Sequence, residues 1–124
     1  ATFIQSAIDD PGLAERLSGS EGPHLVYARF FIHAITDVEE ERFLDLAAAL
    51  TSSGDLLAVE YRTVRDQVGA KETGLHFRRF VLPATFQARA LARGFEVTYA
   101  IEGFGFAKYR HDDAYVARTL FRRV

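Results

Sequence analysis

Residues 24–63 hold the pattern that most restricts the fold of this chain: an apolar segment, a capped helix, a glycine and a second apolar segment. The first segment, residues 24–32, is apolar almost throughout except for Arg29, which is typical of a strand buried in a parallel sheet. Thr36 and Glu39 have the spacing of a capping box, and Gly54 stands where a helix over about 37–52 would end. With a second strand over residues 55–63, the pattern predicts one right-handed crossover unit of an open parallel sheet.

The segments on either side complete a single α/β domain. We predict a strand over residues 1–5, a short helix over about 11–18, and a helix that Pro83 opens and Gly94 closes. Residues 95–102 and 104–110 then form an antiparallel hairpin, because the link at residues 103–105 is too short for a parallel crossover. Asp112 or Asp113 caps a final helix, with Val116, Leu120, Phe121 and Val124 along one face. A chain of 124 residues, 48% of them hydrophobic, is long enough to bury one core.

Composition excludes several classes of function. A formal net charge of -2 argues against a nucleic-acid binder, which would need a larger basic surplus. No apolar run reaches the roughly 20 residues of a membrane span. The chain has no cysteine, and its four histidines are scattered, so the sequence predicts no metal site. The absence of cysteine is compatible with a reducing cytosol, and we expect a cytoplasmic protein.

The element order resembles that of a known family. The segments VYARFFIHAI, SSGDLLAVEYRT, HFRRFVLP, ARGFEVTYAIEGFGFAKY and HDDAYVAR are similar to the carboxy-terminal half of a class I S-adenosylmethionine-dependent methyltransferase, and the resemblance covers residues 1–124. It implies part of a Rossmann-like sheet, in which parallel strands are flanked by helices and followed by an antiparallel hairpin. The family's strands are ordered 3-2-1-4-5-7-6, with strand 7 antiparallel. Residues 1–5, 24–31, 55–63, 95–102 and 104–110 would be strands 3 to 7 in turn.

The resemblance also implies S-adenosylmethionine as cofactor, although the family's glycine-rich cofactor motif has no counterpart here. We therefore expect that the cofactor-binding half is missing, that the chain is a cut or proteolytic fragment, and that it binds the cofactor weakly or not at all. Open α/β sheets bind ligands at the carboxyl ends of their strands, which directs attention to Tyr27, Ala28, Arg29 and Phe30 beside the cofactor.

His33 follows the same strand and is the candidate catalytic residue. An imidazole that changes protonation near neutral pH suits a general base or a group that orients the acceptor. The alternative is that His33 only caps or packs beneath the following helix. Arg29, on an apolar strand, needs a partner, and Glu60 on the neighbouring strand is the expected one, with a structural ion pair favoured over a site role.

Seven residues form the predicted acceptor site at the end of the strand over 55–63 and around the loop that follows it. Arginine forks hold carboxylates or phosphates, so this loop favours an anionic small molecule or sugar-phosphate as methyl acceptor, with a solvated basic loop as the equal alternative. The seven residues are Glu60, Tyr61, Arg62, Arg65, His76, Arg78 and Arg79.

Two functions from different classes remain open. The chain is either the acceptor-side part of a methyltransferase or an α/β module that has lost cofactor binding and serves in assembly or regulation. Without a first strand beside it, the segment over residues 24–31 would be an unpaired apolar edge, and such edges recruit partners. We expect a homodimer or aggregation through that strand, or its coverage by residues 1–5.

Overall fold

The computed structural model describes residues 1–65 and 79–124. In chain order its helices are α1 (Leu13–Leu17), α2 (Asp37–Leu50) and α3 (Pro83–Leu91), with a 3-10 turn at Ile32–Ala34 ahead of α2. Its strands are β1 (Leu25–Arg29), β2 (Leu56–Arg62), β3 (Phe95–Gly103), β4 (Lys108–Tyr109), β5 (Asp112–Asp113) and β6 (Val116–Arg123).

Four of these strands form one mixed sheet in the order β1-β2-β6-β3. β1 and β2 are parallel, with Leu25 opposite Leu56 and Arg29 opposite Glu60. β6 runs antiparallel to both of its neighbours, β2 and β3. β4 and β5 form a separate two-stranded ladder in the connection between β3 and β6. The sheet is therefore parallel on one side of β2 and antiparallel on the other.

The predicted crossover unit β1-α2-β2 is confirmed, and its local chemistry explains its bounds. The hydroxyl of Thr36 accepts a hydrogen bond from the Glu39 N–H at 3.2 Å, and the Glu39 carboxylate accepts one from the Thr36 N–H at 3.0 Å. This capping box satisfies two of the backbone donors that a helix start leaves open. Gly54 adopts φ +94 in the turn into β2, a conformation that favours glycine.

The core lies on one face of the sheet, beneath α2 and α3. Alternate residues of each strand point to the same side, because the strand repeat is two residues. Leu57, Val59 and Tyr61 of β2 and Phe121 of β6 are buried there, together with Phe43 and Leu44 of α2 and Phe86 and Ala90 of α3. The other face, which carries Tyr27 and Tyr99, is largely exposed.

The structure corrects three parts of the predicted element map. Residues 1–5 form no strand, residues 104–110 do not form the antiparallel partner of β3, and residues 112–124 do not form a helix. The strand that pairs with β3 is β6, and a connection with the short β4–β5 ladder replaces the tight hairpin. Leu91 is exposed at the end of α3. The fold class itself, a mixed α/β sheet with an antiparallel strand near one edge, is confirmed.

The order β1-β2-β6-β3 has the same form as the segment 4-5-7-6 that the resemblance implied, with the antiparallel strand second from the edge. β1 lies at the opposite edge, and within the part of the chain that the structure describes its one strand partner is β2. Residues 1–5 add no strand beside it among the described residues, so its outer edge has no backbone partner there.

Candidate functional site

The carboxyl ends of β1 and β2 are joined by two hydrogen bonds. The Phe30 N–H donates to the Glu60 carbonyl at 2.7 Å, and the Arg62 N–H donates to Nδ1 of His33 at 2.9 Å. Phe30 adopts φ +55, which is uncommon for a residue other than glycine. The chain thus turns sharply out of β1 and places the 3-10 turn against the end of β2.

His33 is buried in this turn, with 6% of its surface exposed. Its ring lies 5.6 Å from the ring of Phe30, centroid to centroid, and its carbonyl accepts a hydrogen bond from the Arg79 N–H at 2.7 Å. These are packing and backbone contacts, of the kind that the alternative interpretation of His33 predicted. Its catalytic role stays a prediction.

Arg62 is buried at the end of β2, although a fork for an anionic substrate was expected there. One guanidinium nitrogen lies 3.2 Å from Oδ2 of Asp112 on β5, and the guanidinium carbon lies 6.0 Å from the centre of the Phe30 ring. A buried charge requires such a partner. Asp112 was predicted to cap a helix. Its pairing with Arg62 could not be predicted from that assignment.

A second group of predicted residues meets on the open face of the sheet. Tyr27, Arg29, Glu60, Tyr99 and Arg118 line a groove of about 390 Å³ there. The predicted Arg29–Glu60 ion pair is confirmed, with Nε and Oε1 3.1 Å apart, and Arg118 contacts the other oxygen of the same carboxylate. Only 7% of the Glu60 side chain is exposed, against 55% of that of Arg29, so the buried partner is the acid rather than the arginine.

Arg118 was not predicted as a site residue, because residues 112–124 were assigned to a helix. In the strand register, Arg118 stands opposite Glu60 on β2, which places an arginine on each side of that acid. A strand assignment for residues 116–123 would have predicted this arrangement.

Arg79 has a structural role between the 3-10 turn and α2. Its guanidinium donates to the Ile32 carbonyl at 2.7 Å and pairs with Glu40 at 2.8 Å and Asp37 at 2.6 Å. Arg89 of α3 contacts the second oxygen of Glu40. The guanidinium of Arg79 is thus engaged within the fold, and the predicted contact with an anionic acceptor would compete with these carboxylates.

The other predicted residues lie apart from one another. Ala28 and Tyr61 are buried in the core, and the Tyr61 ring packs 5.3 Å from that of Phe86. Arg65 is exposed and pairs with Glu102 at 2.7 Å, and the negative charge of Glu102 raises the pKa of Arg65. His76 and Arg78 lie outside the described residues.

The described residues hold neither a metal-binding cluster nor a membrane-spanning helix. Within residues 1–65 and 79–124 no group of three or more acidic, histidine or cysteine side chains is arranged to hold a metal ion. In the same two ranges, no helix is long and apolar enough to cross a membrane. The link from β1 to α2, residues 30–36, contains no glycine, whereas phosphate-binding turns between a strand and a helix are rich in it.

The sequence matches no protein-family model and no curated protein. Solved structures, however, share its fold. A methyltransferase from Anabaena variabilis, described as S-adenosylmethionine-dependent, has a TM-score of 0.71 at 12% identity, over 97% of this chain and 57% of its own. A second such methyltransferase, from Methanosarcina mazei, has a TM-score of 0.63 at 10% identity, over 85% of this chain and 63% of its own. The [4+2]-cyclase SpnF has a TM-score of 0.60 at 14% identity, over 89% of this chain and 53% of its own.

The chain therefore adopts part of the fold of S-adenosylmethionine-dependent methyltransferases. It spans about 57% and 63% of the length of the two methyltransferases that it resembles. The likeness to a protein described as a cyclase shows that this fold is not tied to one reaction.

Proposed function

We propose that this chain is the carboxy-terminal, acceptor-side part of an S-adenosylmethionine-dependent methyltransferase, and that the whole protein methylates a small molecule. The observation that supports this most is the strand order β1-β2-β6-β3 with β6 antiparallel, together with the methyltransferases among the structures of the same fold. A likeness of fold alone does not determine a reaction.

Two exposed surfaces are consistent with a missing half of the fold. Sheets of α/β proteins are usually covered by helices on both faces, but among residues 1–65 and 79–124 the helices α2 and α3 pack on one face. Tyr27, on the other face, is 63% exposed, and Leu25, on the edge strand β1, is 60% exposed. A further strand beside β1, with a helix over the open face, would bury both residues.

The end of β1 offers part of a cofactor site. S-adenosylmethionine, when bound, supplies an electrophilic methyl group, and transfer depends mainly on holding the acceptor in line with it. Of the four residues predicted beside the cofactor, Phe30 stands where β1 ends, held between Arg29 and His33. We assign to Phe30 the contact with the cofactor. Because the family's glycine-rich cofactor motif has no counterpart in this sequence, we expect the chain alone to hold the cofactor weakly.

The acceptor side is assigned to the end of β2. Arg65 has an exposed guanidinium beside the ring of Tyr115, and it forms an ion pair with the partly exposed Glu102. A carboxylate or phosphate on the acceptor would take the place of Glu102 at that fork. We therefore propose an anionic acceptor, a small molecule or sugar-phosphate, that binds at Arg65.

Calorimetric titration with S-adenosylmethionine tests the proposal on two proteins: this chain, and a longer one with a strand–turn–helix half ahead of it. We expect the longer protein alone to bind, and Phe30→Ala in that protein to weaken binding. Phe104→Ala is the matched control, because Phe104 is exposed in the connection after β3. Micromolar binding by the 124-residue chain itself would contradict the strand assignment, and no binding by either protein would refute the enzyme.

The exposed edge of β1 favours a second candidate, a non-catalytic module that assembles through residues 24–31. An uncovered edge strand with exposed apolar side chains is a template for pairing with a second copy. Sedimentation analysis should show a dimer that Leu25→Lys dissociates and that Leu91→Lys, at another exposed leucine on α3, leaves intact. A monomer at all concentrations would rule out this assembly.

A further inference from the structure

The hydrogen bond between the Arg62 N–H and the imidazole of His33 defines where the proton of that imidazole lies. The bond is 2.9 Å long and buried, and it ends on Nδ1. A backbone N–H has no alternative to donating, so Nδ1 must present a lone pair. In a neutral imidazole the remaining proton then resides on Nε2.

This tautomer limits what His33 contributes to proton chemistry. A general base needs a bare nitrogen that faces the proton it removes. The bare nitrogen of His33 is Nδ1, which faces the backbone of β2 and not a ligand. Protonation of Nδ1 would break the bond and leave the buried Arg62 N–H without its acceptor.

The same histidine connects three segments of the chain. Nδ1 holds the end of β2, the carbonyl holds the backbone N–H of Arg79 ahead of α3, and the ring packs on Phe30. Phe30 in turn has the left-handed backbone conformation that ends β1 and donates its N–H to the Glu60 carbonyl. The position of the Phe30 ring therefore depends on the orientation of the imidazole.

We propose that His33 is a positioning residue, fixed as the Nε2–H tautomer, that sets Phe30 and the end of β2 in place and does not act as the general base. The inference rests on the proposed function only in giving Phe30 a ligand to contact. It replaces the general-base hypothesis for His33 with a role in which Nε2 is a hydrogen-bond donor.

The tautomer is measurable on the 124-residue chain by two-bond proton–nitrogen correlation NMR with labelled histidine. We expect His33 at pH 7 to carry its proton on Nε2 and none on Nδ1. A proton on Nδ1, alone or together with one on Nε2, would overturn the inference, because the Arg62 N–H would then have no lone pair to meet.

Two substitutions test the hydrogen bond from the Arg62 N–H separately from the packing of the His33 ring. In His33→Asn the side-chain oxygen falls where Nδ1 lies and accepts the Arg62 N–H, whereas in His33→Leu nothing accepts it. Hydrogen exchange at the Arg62 amide should stay slow in the first variant and accelerate about tenfold or more in the second, the factor expected for one lost buried hydrogen bond. Equal exchange rates in the wild type and His33→Leu would overturn the inference.

Cofactor binding by the longer protein distinguishes the two proposals. His33→Asn should bind S-adenosylmethionine as the wild type does, since Phe30 keeps its place, and His33→Leu should bind it more weakly. Full binding by His33→Leu would overturn the positioning role. If the unmodified longer protein binds no cofactor, the proposed function fails, while the tautomer and the amide exchange still decide the inference about His33.

Discussion

The hydroxyl of Tyr61 is a buried polar group that gives the sharpest test of the packing. The residue has no exposed surface, and its oxygen has no hydrogen-bond partner among the described residues. Taking a hydroxyl out of water without a replacement partner costs about 1–3 kcal/mol. Tyr61→Phe removes that oxygen and keeps the ring against Phe86, so we expect the free energy of unfolding to rise by about 1–3 kcal/mol.

Urea denaturation followed by circular dichroism measures this change. The midpoint should move to higher urea with the slope unchanged, because the same surface is exposed on unfolding. Tyr27→Phe is the control: Tyr27 is an exposed tyrosine of β1, and the substitution should change stability by less than about 0.5 kcal/mol. A loss of stability in Tyr61→Phe would refute the reasoning, since it would mean that the hydroxyl has a favourable partner in the folded protein.

The buried hydroxyl of Tyr61 also predicts how stability changes at alkaline pH. Burial, with smaller contributions from the negative charges of Glu102 and Glu40, raises the pKa of Tyr61 well above its ordinary value of 10.0. The folded protein then keeps the phenol proton where the unfolded chain loses it, so stability decreases as the pH rises above about 10. Tyr61→Phe should decrease less steeply over that range, and parallel curves for the two proteins would contradict the assignment.

Two acidic residues give further predictions. Glu40 has 1% of its side chain exposed and pairs with Arg79 and Arg89, so Glu40→Ala should lower the free energy of unfolding by about 3 kcal/mol in urea denaturation. Asp55 has a lowered pKa, first because the backbone N–H of Ser52 donates to its carboxylate. Its stabilisation is therefore complete above the unfolded pKa and disappears as the pH falls through the lower folded pKa, and Asp55→Asn should flatten the acid side of the stability curve.

Neighbouring acids serve as controls for both. Glu41→Ala, at a more exposed carboxylate of α2, should cost less than about 1 kcal/mol, and a loss equal to that of Glu40→Ala would contradict the burial argument. Asp45→Asn, at an exposed carboxylate of α2, makes the same chemical change and is the control for Asp55→Asn. A stability curve for Asp55→Asn identical to that of the wild type would show that the N–H groups of Ser52 and His24, which both donate to the Asp55 carboxylate, do not stabilise its charged form.

The elements set by local chemistry could be predicted from the sequence. The capping box at Thr36, the glycine after α2 and the proline that opens α3 each act within a few residues, and the structure has all three where the sequence indicated. The Arg29–Glu60 pair could also be predicted, because neighbouring parallel strands put their carboxyl ends side by side.

β6 could not be predicted from local spacing alone. Val116, Leu120 and Phe121 recur at intervals that fit a helix, yet Ala117, Thr119 and Phe121 also alternate as a strand requires, and the strand pattern is the one that the fold uses. As a strand, this segment pairs with β2 on one side and β3 on the other, and each neighbour offers a full row of backbone hydrogen bonds. These bonds favour the strand over the helix. Because this segment was predicted as a helix, Arg118 was not expected beside Glu60, and the groove that both residues line was not predicted.

The position of β6 also has a consequence for biosynthesis. Synthesis proceeds from the amino terminus. β2 and β3 both hydrogen-bond to Val116–Arg123 and not to each other, so each lacks this partner until that segment has been made. Until then a nascent chain on the ribosome has two strands with open edges, a state that favours aggregation and chaperone binding. Ribosome-stalled chains that end before residue 116 should therefore remain sensitive to protease, and protection should arise in a single step once β6 has left the exit tunnel.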